Sequence, residues 1–160
     1  MDEVSATDQE DIPETIEKLF RSASYRTLMD LDDGALEPAF QAMALAPNDP
    51  EVLCKGASIL CRRGRGLQMA EEIYARVLAI DPNYPLALNQ LALLSTAHGK
   101  YSKAVEYSER LIALPEHRRP LTLLLASRAL RLNGNLDESK VYLREVVDSI
   151  DTRNLYCLSY

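Results

Sequence analysis

The sequence predicts an all-α protein, and three observations support that prediction. Apolar and small residues recur at spacings of three and four, as in Leu88, Leu91, Ala92 and Ser95, which places them on one face of a helix. From Ile12 onward helix-forming residues dominate, and clusters of β-branched residues are almost absent. The Asn-Gly and Asp-Gly dipeptides separate helical patterns rather than the alternating apolar runs of a β-hairpin.

Loops interrupt these helical patterns at regular intervals. Asp49 has the side chain of an N-cap, and Pro50 suits the first position of the helix that follows. The longer breaks occupy residues 48–50, 81–85 and 115–120, and the shorter ones occupy residues 64–66, 99–100 and 133–135.

The charge of the chain is unevenly distributed. There are 24 acidic and 18 basic side chains, which gives a formal net charge of −6. Five of the acids lie within residues 2–11, so the remainder of the chain carries a net charge of only −1. The overall acidity argues against non-specific binding of nucleic acid. We expect residues 1–11 to form an acidic, flexible tail that is a candidate shield for a basic surface.

Composition also bears on location. No run of 18 apolar residues exists, so we expect no insertion into a membrane. The acidic N-terminus is unlike a signal peptide, and three cysteines do not make a disulfide framework. A reducing, cytoplasmic setting is the expectation.

An internal repeat is the most informative feature of the sequence. Residues 70–74 align with residues 104–108 at a shift of 34, and residues 139–143 align with the latter at a shift of 35. Gly99 and Gly134 are also 35 residues apart. Each unit consists of a helix, a tight turn and a second helix, and a period of 34 residues with this content is that of tetratricopeptide repeats.

The residues within the units resemble the tetratricopeptide repeat family as well. In the unit 51–84, small or apolar residues occupy the family's packing positions, namely Cys54, Ala57, Ser58, Cys61, Ala70, Tyr74, Val77 and Pro82. The next unit, 85–118, matches with Leu88, Leu91, Ala92, Gly99, Tyr101, Ala104 and Leu111 but departs from the pattern at Ser95 and Ser108. Units 14–48 and 120–150 are more degenerate.

The resemblance implies a short right-handed superhelical solenoid of antiparallel helix pairs over residues 12–150, followed by a C-terminal tail, 151–160. It also implies a concave groove, lined by the first helix of each pair, that binds a peptide or helix of a partner protein. Mapped onto this chain, the groove positions are Val52, Lys55, Ile59, Arg62, Arg63, Leu86, Asn89, Leu93, Thr96, Leu121, Leu124, Arg128 and Arg131.

Charge supports this assignment. Over the predicted first helices, 51–63, 84–98 and 119–132, bases exceed acids by five, whereas acids exceed bases by three over the predicted second helices. The chaperone-binding members of the family clamp a C-terminal carboxylate with lysine, asparagine and arginine. Only Lys55 matches such a clamp, because Ile59, Gln90, Leu121 and Leu125 stand at the other positions. We therefore expect an amphipathic partner segment that carries acidic residues.

The sequence shows no pattern that predicts catalysis, a cofactor site or a metal site. The only histidines are His98 and His117, both beside loops, and Gly99-Lys100 lacks the flanking residues of a phosphate-binding loop. Cys54 and Cys61 occupy packing positions of one helix face, with no second Cys or His pair to complete a zinc site.

The predicted function is therefore that of a non-catalytic scaffold or adaptor. One alternative is a secretion chaperone, because small acidic proteins with three such repeats resemble the tetratricopeptide chaperones of type III secretion. A second is the docking region of a larger transferase, although the chain ends within ten residues of its last predicted helix. A third is self-association through the apolar ends of the repeat stack.

Overall fold

The computed structural model describes residues 11–28, 36–62 and 66–157, the side chains of Leu28 and of residues 151–157 excepted. These residues form helices and loops without any strand, which confirms the all-α prediction. The helices are α1 (Ile12–Leu28), α2 (Leu36–Leu45), α3 (Pro50–Arg62), α4 (Leu67–Ile80), α5 (Pro85–Ala97), α6 (Tyr101–Ile112), α7 (Pro120–Asn133) and α8 (Leu136–Cys157), with a short 3₁₀ turn at Pro115–His117. The tail predicted over residues 1–11 lies, apart from Asp11, outside the described residues, as do Arg63 and residues 158–160.

The chain forms two compact units, Met1–Ile80 and Asp81–Tyr160. In the first unit α1 packs against α2 and α3 against α4, while α3 also contacts both helices of the preceding pair. In the second unit α5 packs against α6 and α7 against α8, while α7 contacts both α5 and α6. Each unit therefore contains two helix pairs, and the first helix of the second pair packs against both helices of the first.

Small residues allow the helices of the first unit to approach closely. Ala57 of α3 and Ala70 of α4 are completely buried, and Tyr74 fills the space between them without any exposed surface. The hydroxyl of Tyr74 lies 3.0 Å from Oγ of Ser58, so its polar atom is satisfied inside the core. At Gly56 the approach of α2 is so close that a Cβ atom would collide with the side chain of Met43.

The second unit has a comparable core. A cluster of Ile112, Leu123, Ala126 and Val146 joins α6, α7 and α8, and Tyr142 packs against it. Between α7 and α8, the hydroxyls of Ser127 and Ser139 lie 2.9 Å apart in a buried pair. These two hydroxyls thus satisfy each other where α7 and α8 meet.

Two glycines end helices in the left-handed backbone region. Gly99 has φ of 72° and Gly134 has φ of 93°, values that other residues rarely adopt. Beyond Gly134, the Asn135 N–H donates to the Leu130 carbonyl at 2.9 Å, and Lys100 N–H donates to the Ser95 carbonyl at 2.8 Å in the same way. These bonds satisfy carbonyls at the end of each helix and turn the chain into the next one.

The start of α3 follows the predicted chemistry. The carboxylate of Asp49 accepts hydrogen bonds from the Glu51 N–H at 2.8 Å and the Val52 N–H at 3.3 Å, and Pro50 is the first residue of the helix. The N-cap prediction is therefore confirmed, because two of the N–H groups that lack a partner within the helix find one in this side chain.

One helix boundary was predicted wrongly. The repeat pattern predicts that the last repeat ends at residue 150 and that residues 151–160 form a tail, whereas α8 continues to Cys157. No Gly or Pro follows residue 150, so the chain has no residue that would stop the helix there. The predicted boundary at residue 150 rested on the period of the repeat alone, and no residue near it ends the helix.

Candidate protein interaction surface

Helix α5 presents a narrow, uncharged stripe to solvent. Leu86 and Leu93 are 40% and 41% exposed, and Asn89 between them is half-buried. These residues follow one another at spacings of three and four and so lie on one face of the helix. The rest of the helix is largely buried, and α5 contains no charged side chain.

Helix α7, which contacts α5, presents a similar stripe with a basic end. Leu121 and Leu124 are 79% and 43% exposed, and Arg128 and Arg131 follow on the same face and are also exposed. No acidic residue occurs in α7. We call the residues of these two stripes the α5–α7 face; it comprises Leu86, Asn89, Leu93, Leu121, Leu124, Arg128 and Arg131.

A cleft of about 410 Å³ opens at one end of this face. It lies at the beginning of α5 and of α7, beside the loop that joins α6 to α7. The residues that line it are Tyr84, Pro85, Leu86, Asn89, Leu111, His117 and Thr122. Thr122 is held in place because its Oγ1 accepts the Arg119 N–H at 3.0 Å and donates to the His117 carbonyl.

The two arginines of the α5–α7 face differ in their pairing from Arg118 and Lys140 of the same unit. Arg118 forms a bidentate pair with Glu145 at 2.7 and 2.6 Å, and Lys140 pairs with Asp137 at 2.8 Å. By contrast, neither Arg128 nor Arg131 forms an ion pair or hydrogen bond through its side chain with any residue of the described ranges. Their guanidinium groups are consequently available to an external carboxylate.

The groove positions predicted in the first unit are arranged differently. Val52 and Ile59 are buried, with 8% and 5% exposure, and pack inside the unit. Lys55 forms an ion pair with Glu51 at 2.7 Å. Arg62 is exposed, and Arg63 lies outside the described residues. Of these five positions, Arg62 is thus the exposed cation without an ion pair among the described residues.

One predicted groove residue of the second unit is also interior. Thr96 is 8% exposed, and its hydroxyl donates to the Ala92 carbonyl at 2.8 Å. The helical period correctly places Thr96 on the same face of α5 as Leu86, Asn89 and Leu93, but that face is buried at the end of the helix. We therefore leave Val52, Ile59 and Thr96 out of the candidate surface.

Sequence reasoning missed the cleft and a second apolar stripe. The cleft depends on the path of the loop after α6, which no helical pattern describes. The stripe lies on α8, where Leu136, Leu143, Val147 and Ile150 are 40–55% exposed. Their spacing of seven, four and three residues would have revealed it, because these intervals return to one helix face.

Within the described part of the chain, His98, His117, Cys54 and Cys61 do not assemble into a reactive site. His98 caps the end of α5, whereas His117 lines the cleft at the beginning of α5, roughly 20 Å away at 1.5 Å per residue. Burial raises the pKa of the Cys54 thiol from 9.0 to about 12, and burial also raises the pKa of Cys61, although a hydrogen bond with Tyr74 partly offsets this. Such thiols are poor nucleophiles.

The described part of the chain contains neither a cluster of metal-ligating side chains nor a membrane-crossing helix. No group of His, Cys, Asp or Glu side chains there could hold a metal ion. Within residues 11–28, 36–62 and 66–157, no helix has both the length and the apolar character needed to cross a membrane.

Comparison with known proteins identifies the fold. No family model matches the sequence, and no curated protein matches it either. A crystal structure of MamA protein has a TM-score of 0.74 at 20% identity, over 92% of this chain and 80% of that one. A putative kinesin light chain from Podosopora anserina, built of TPR-like repeats, gives a TM-score of 0.73 at 22% identity, over 89% of this chain and 77% of that one.

A third structure points the same way. TTC0263, a thermophilic TPR protein of Thermus thermophilus, has a TM-score of 0.65 at 20% identity, over 91% of this chain and 81% of that one. The resemblance inferred from the repeat is thus confirmed at the level of the fold. The chain has a tetratricopeptide-like helical-repeat fold.

Proposed function

We propose that this protein is a non-catalytic interaction module that binds an acidic and apolar segment of a partner protein on the α5–α7 face. The observation that carries the proposal is the composition of that face: two contacting helices expose leucines and two unpaired arginines and contain no acidic residue. A tetratricopeptide-like fold supports a role as a repeat scaffold.

The energetic basis is the burial of apolar surface. Leu121 is 79% exposed, and Leu86, Leu93 and Leu124 are each exposed by about two-fifths. Covering such side chains removes apolar area from water at roughly 25 cal/mol per Å². An apolar side of the partner segment would therefore supply most of the affinity.

The arginines contribute selectivity. Arg128 and Arg131 lie on the same face as Leu121 and Leu124, with no carboxylate on their own helix to compete for them. A carboxylate of the partner can accept two hydrogen bonds from a guanidinium, and arginine is enriched among the residues that dominate binding energy. A basic partner segment would be repelled by the same pair of charges.

Charge reversal tests the proposal. The double variant Arg128→Glu, Arg131→Glu should lose partner capture in a crosslinking pull-down analysed by mass spectrometry, while its helical circular dichroism stays unchanged. The matched control is Lys18→Glu, Arg21→Glu, which makes the same charge change on exposed residues of α1. Equal capture by the wild type and the α7 variant would refute the assignment of this face.

Arg62 needs a separate test because it belongs to the first unit. We propose that Arg62, which is exposed and is a predicted groove position, is a separate cationic contact for a partner on the first unit. The single variant Arg62→Glu should weaken capture, and unchanged capture would refute this role of Arg62.

A further inference from the structure

The α5–α7 face has two ends with different chemistry. At the beginning of α5 and α7 lies the cleft, where Leu86, Leu111 and Pro85 provide an apolar lining. Towards the end of α7 lie Arg128 and Arg131, exposed and unpaired within the described residues. The apolar cleft and the two arginines thus occupy different positions along the face.

The separation can be expressed as a length. Thr122 marks the cleft on α7, and Arg128 and Arg131 are six and nine residues further along the helix. At 1.5 Å per residue, the guanidinium-bearing residues begin about 9 and about 13.5 Å from the cleft. A chain extended in the polyproline II conformation covers these distances in about three to four residues at roughly 3.1 Å each, and its side chain at position three returns to the face of the first because there are three residues per turn.

The cleft also offers hydrogen bonds suited to an extended chain. Asn89 lines it, is half-buried, and makes no side-chain hydrogen bond with another residue of the described ranges. Its amide has both a donor and an acceptor. An extended segment has unpaired main-chain N–H and C=O groups that need such partners, whereas the main-chain groups of a helix are already bonded.

We infer that the face reads a bipartite motif in an extended peptide: one large apolar side chain seated in the cleft, and acidic side chains three and four positions away that pair with Arg128 and Arg131. This inference rests on the proposed function and specifies its ligand. The volume of about 410 Å³ is enough for a single leucine or phenylalanine side chain. The absence of acidic residues from α5 and α7 makes the two ends complementary to such a motif.

The experiment measures the affinity of the full chain for dye-labelled peptides by fluorescence anisotropy. Each peptide has a Gly-Ser background with one Leu and two Glu residues. The Glu residues stand at positions 1 and 2, 3 and 4, or 6 and 7 from the Leu, and on either side of it. We expect binding to be at least about tenfold tighter at spacing 3 and 4 than at the other two spacings.

Matched variants assign each end of the motif. Leu86→Ala should weaken binding of the Leu peptide about tenfold and leave the Leu→Ala peptide unchanged. Arg131→Gln should weaken binding of the Glu peptide about tenfold and leave its Glu→Gln counterpart unchanged. Arg21→Gln, on α1, is the control variant and should bind every peptide as the wild type does.

The outcomes distinguish this inference from the proposed function. Tightest binding at spacing 6 and 7 would indicate a helical ligand and overturn the extended motif, as would tightest binding at spacing 1 and 2. Equal binding at all spacings would overturn the bipartite motif while retaining an acidic and apolar ligand. Binding of no peptide would overturn the motif, and pull-down capture that is also insensitive to Arg128 and Arg131 would overturn both.

Discussion

Arg76 and Arg110 make the same contact in two different units of the chain. Arg76 of α4 donates from Nη2 to the Pro47 carbonyl at 2.6 Å, and Arg110 of α6 donates from Nη2 to the Pro82 carbonyl. The arginines are 34 residues apart and the prolines 35 residues apart. The repeat therefore extends beyond the apolar packing positions to a side-chain hydrogen bond, which ties the second helix of a pair to the loop that precedes the first.

The first prediction concerns this bond. Arg76→Ala should lower the free energy of unfolding by about 1 kcal/mol, because the Pro47 carbonyl loses a charge-assisted donor at a partly solvated position. Arg76→Lys should recover only part of the loss, since lysine lacks the planar guanidinium. Urea unfolding followed by circular dichroism measures both, with Arg21→Ala as an exposed control. An effect of Arg76→Ala no larger than that of the control would contradict the prediction.

The second prediction concerns a buried hydroxyl without a partner. Oγ of Ser95 is buried and makes no hydrogen bond within the described part of the chain. Ser95→Ala should therefore stabilise the protein by up to about 1 kcal/mol, because it removes an unsatisfied polar group. Ser108→Ala is the comparison, since its hydroxyl donates to the Ala104 carbonyl at 2.7 Å and its loss should be neutral or unfavourable. A stability ranking in the opposite order would show that Ser95 is satisfied in solution.

The third prediction concerns the turn between α7 and α8. Gly134→Ala should cost about 1–2 kcal/mol of stability, because alanine at φ of 93° meets a steric penalty that glycine avoids. Gly134→Asn should cost less, since asparagine tolerates the left-handed region better. Both substitutions have room, as no atom lies within 4 Å of a Cβ at this position. If alanine and asparagine are equally tolerated in thermal unfolding, the turn does not require this backbone conformation.

The fourth prediction concerns the reactivity of Cys54. With its pKa raised to about 12, Cys54 should have about a thousandfold less thiolate at pH 8 than a thiol of pKa 9.0. In a Cys61→Ser, Cys157→Ser background, a disulfide reagent should label native protein correspondingly slowly and urea-unfolded protein at the ordinary rate. Comparably fast labelling of the native protein would contradict the buried placement.

The same pKa shift predicts a dependence of stability on pH. Because the pKa of Cys54 is higher in the folded state, the unfolded chain loses this proton first as the pH rises. Its contribution to stability is complete below pH 9 and is lost between pH 9 and about 12. The urea midpoint should therefore fall less steeply above pH 9 in Cys54→Ala than in the wild type. Parallel plots of urea midpoint against pH for the two proteins would contradict the raised pKa of Cys54.

The helices were predictable because each one occupies a fixed position within the repeat. The spacing of Ala57, Tyr74 and Ala104 reports which faces are buried, and Asp49 and Gly134 carry local chemistry that marks a start and an end. The end of α8 was missed because no local signal stands at residue 150. The contact of Arg76 with Pro47 was not predictable, since it depends on the path of a loop relative to a helix.

The candidate surface was predictable only in part. The stripe from Leu121 to Arg131 follows directly from helical geometry, and all four predicted residues on α7 are exposed. Val52 and Ile59 also fit the pattern, yet both are buried. Exposure depends on which neighbouring helix covers a position, and a repeat pattern cannot supply that for a degenerate neighbouring unit such as residues 14–48.

The packing of each unit has a consequence for the speed of folding. The helices that contact one another are successive in the chain or next but one, as α5 is with α7. The sequence separation between contacting residues is consequently short, and little chain entropy is lost in closing loops before a contact forms. Proteins with such low contact order fold within microseconds to milliseconds. We expect each unit to acquire its helices and its core on that timescale.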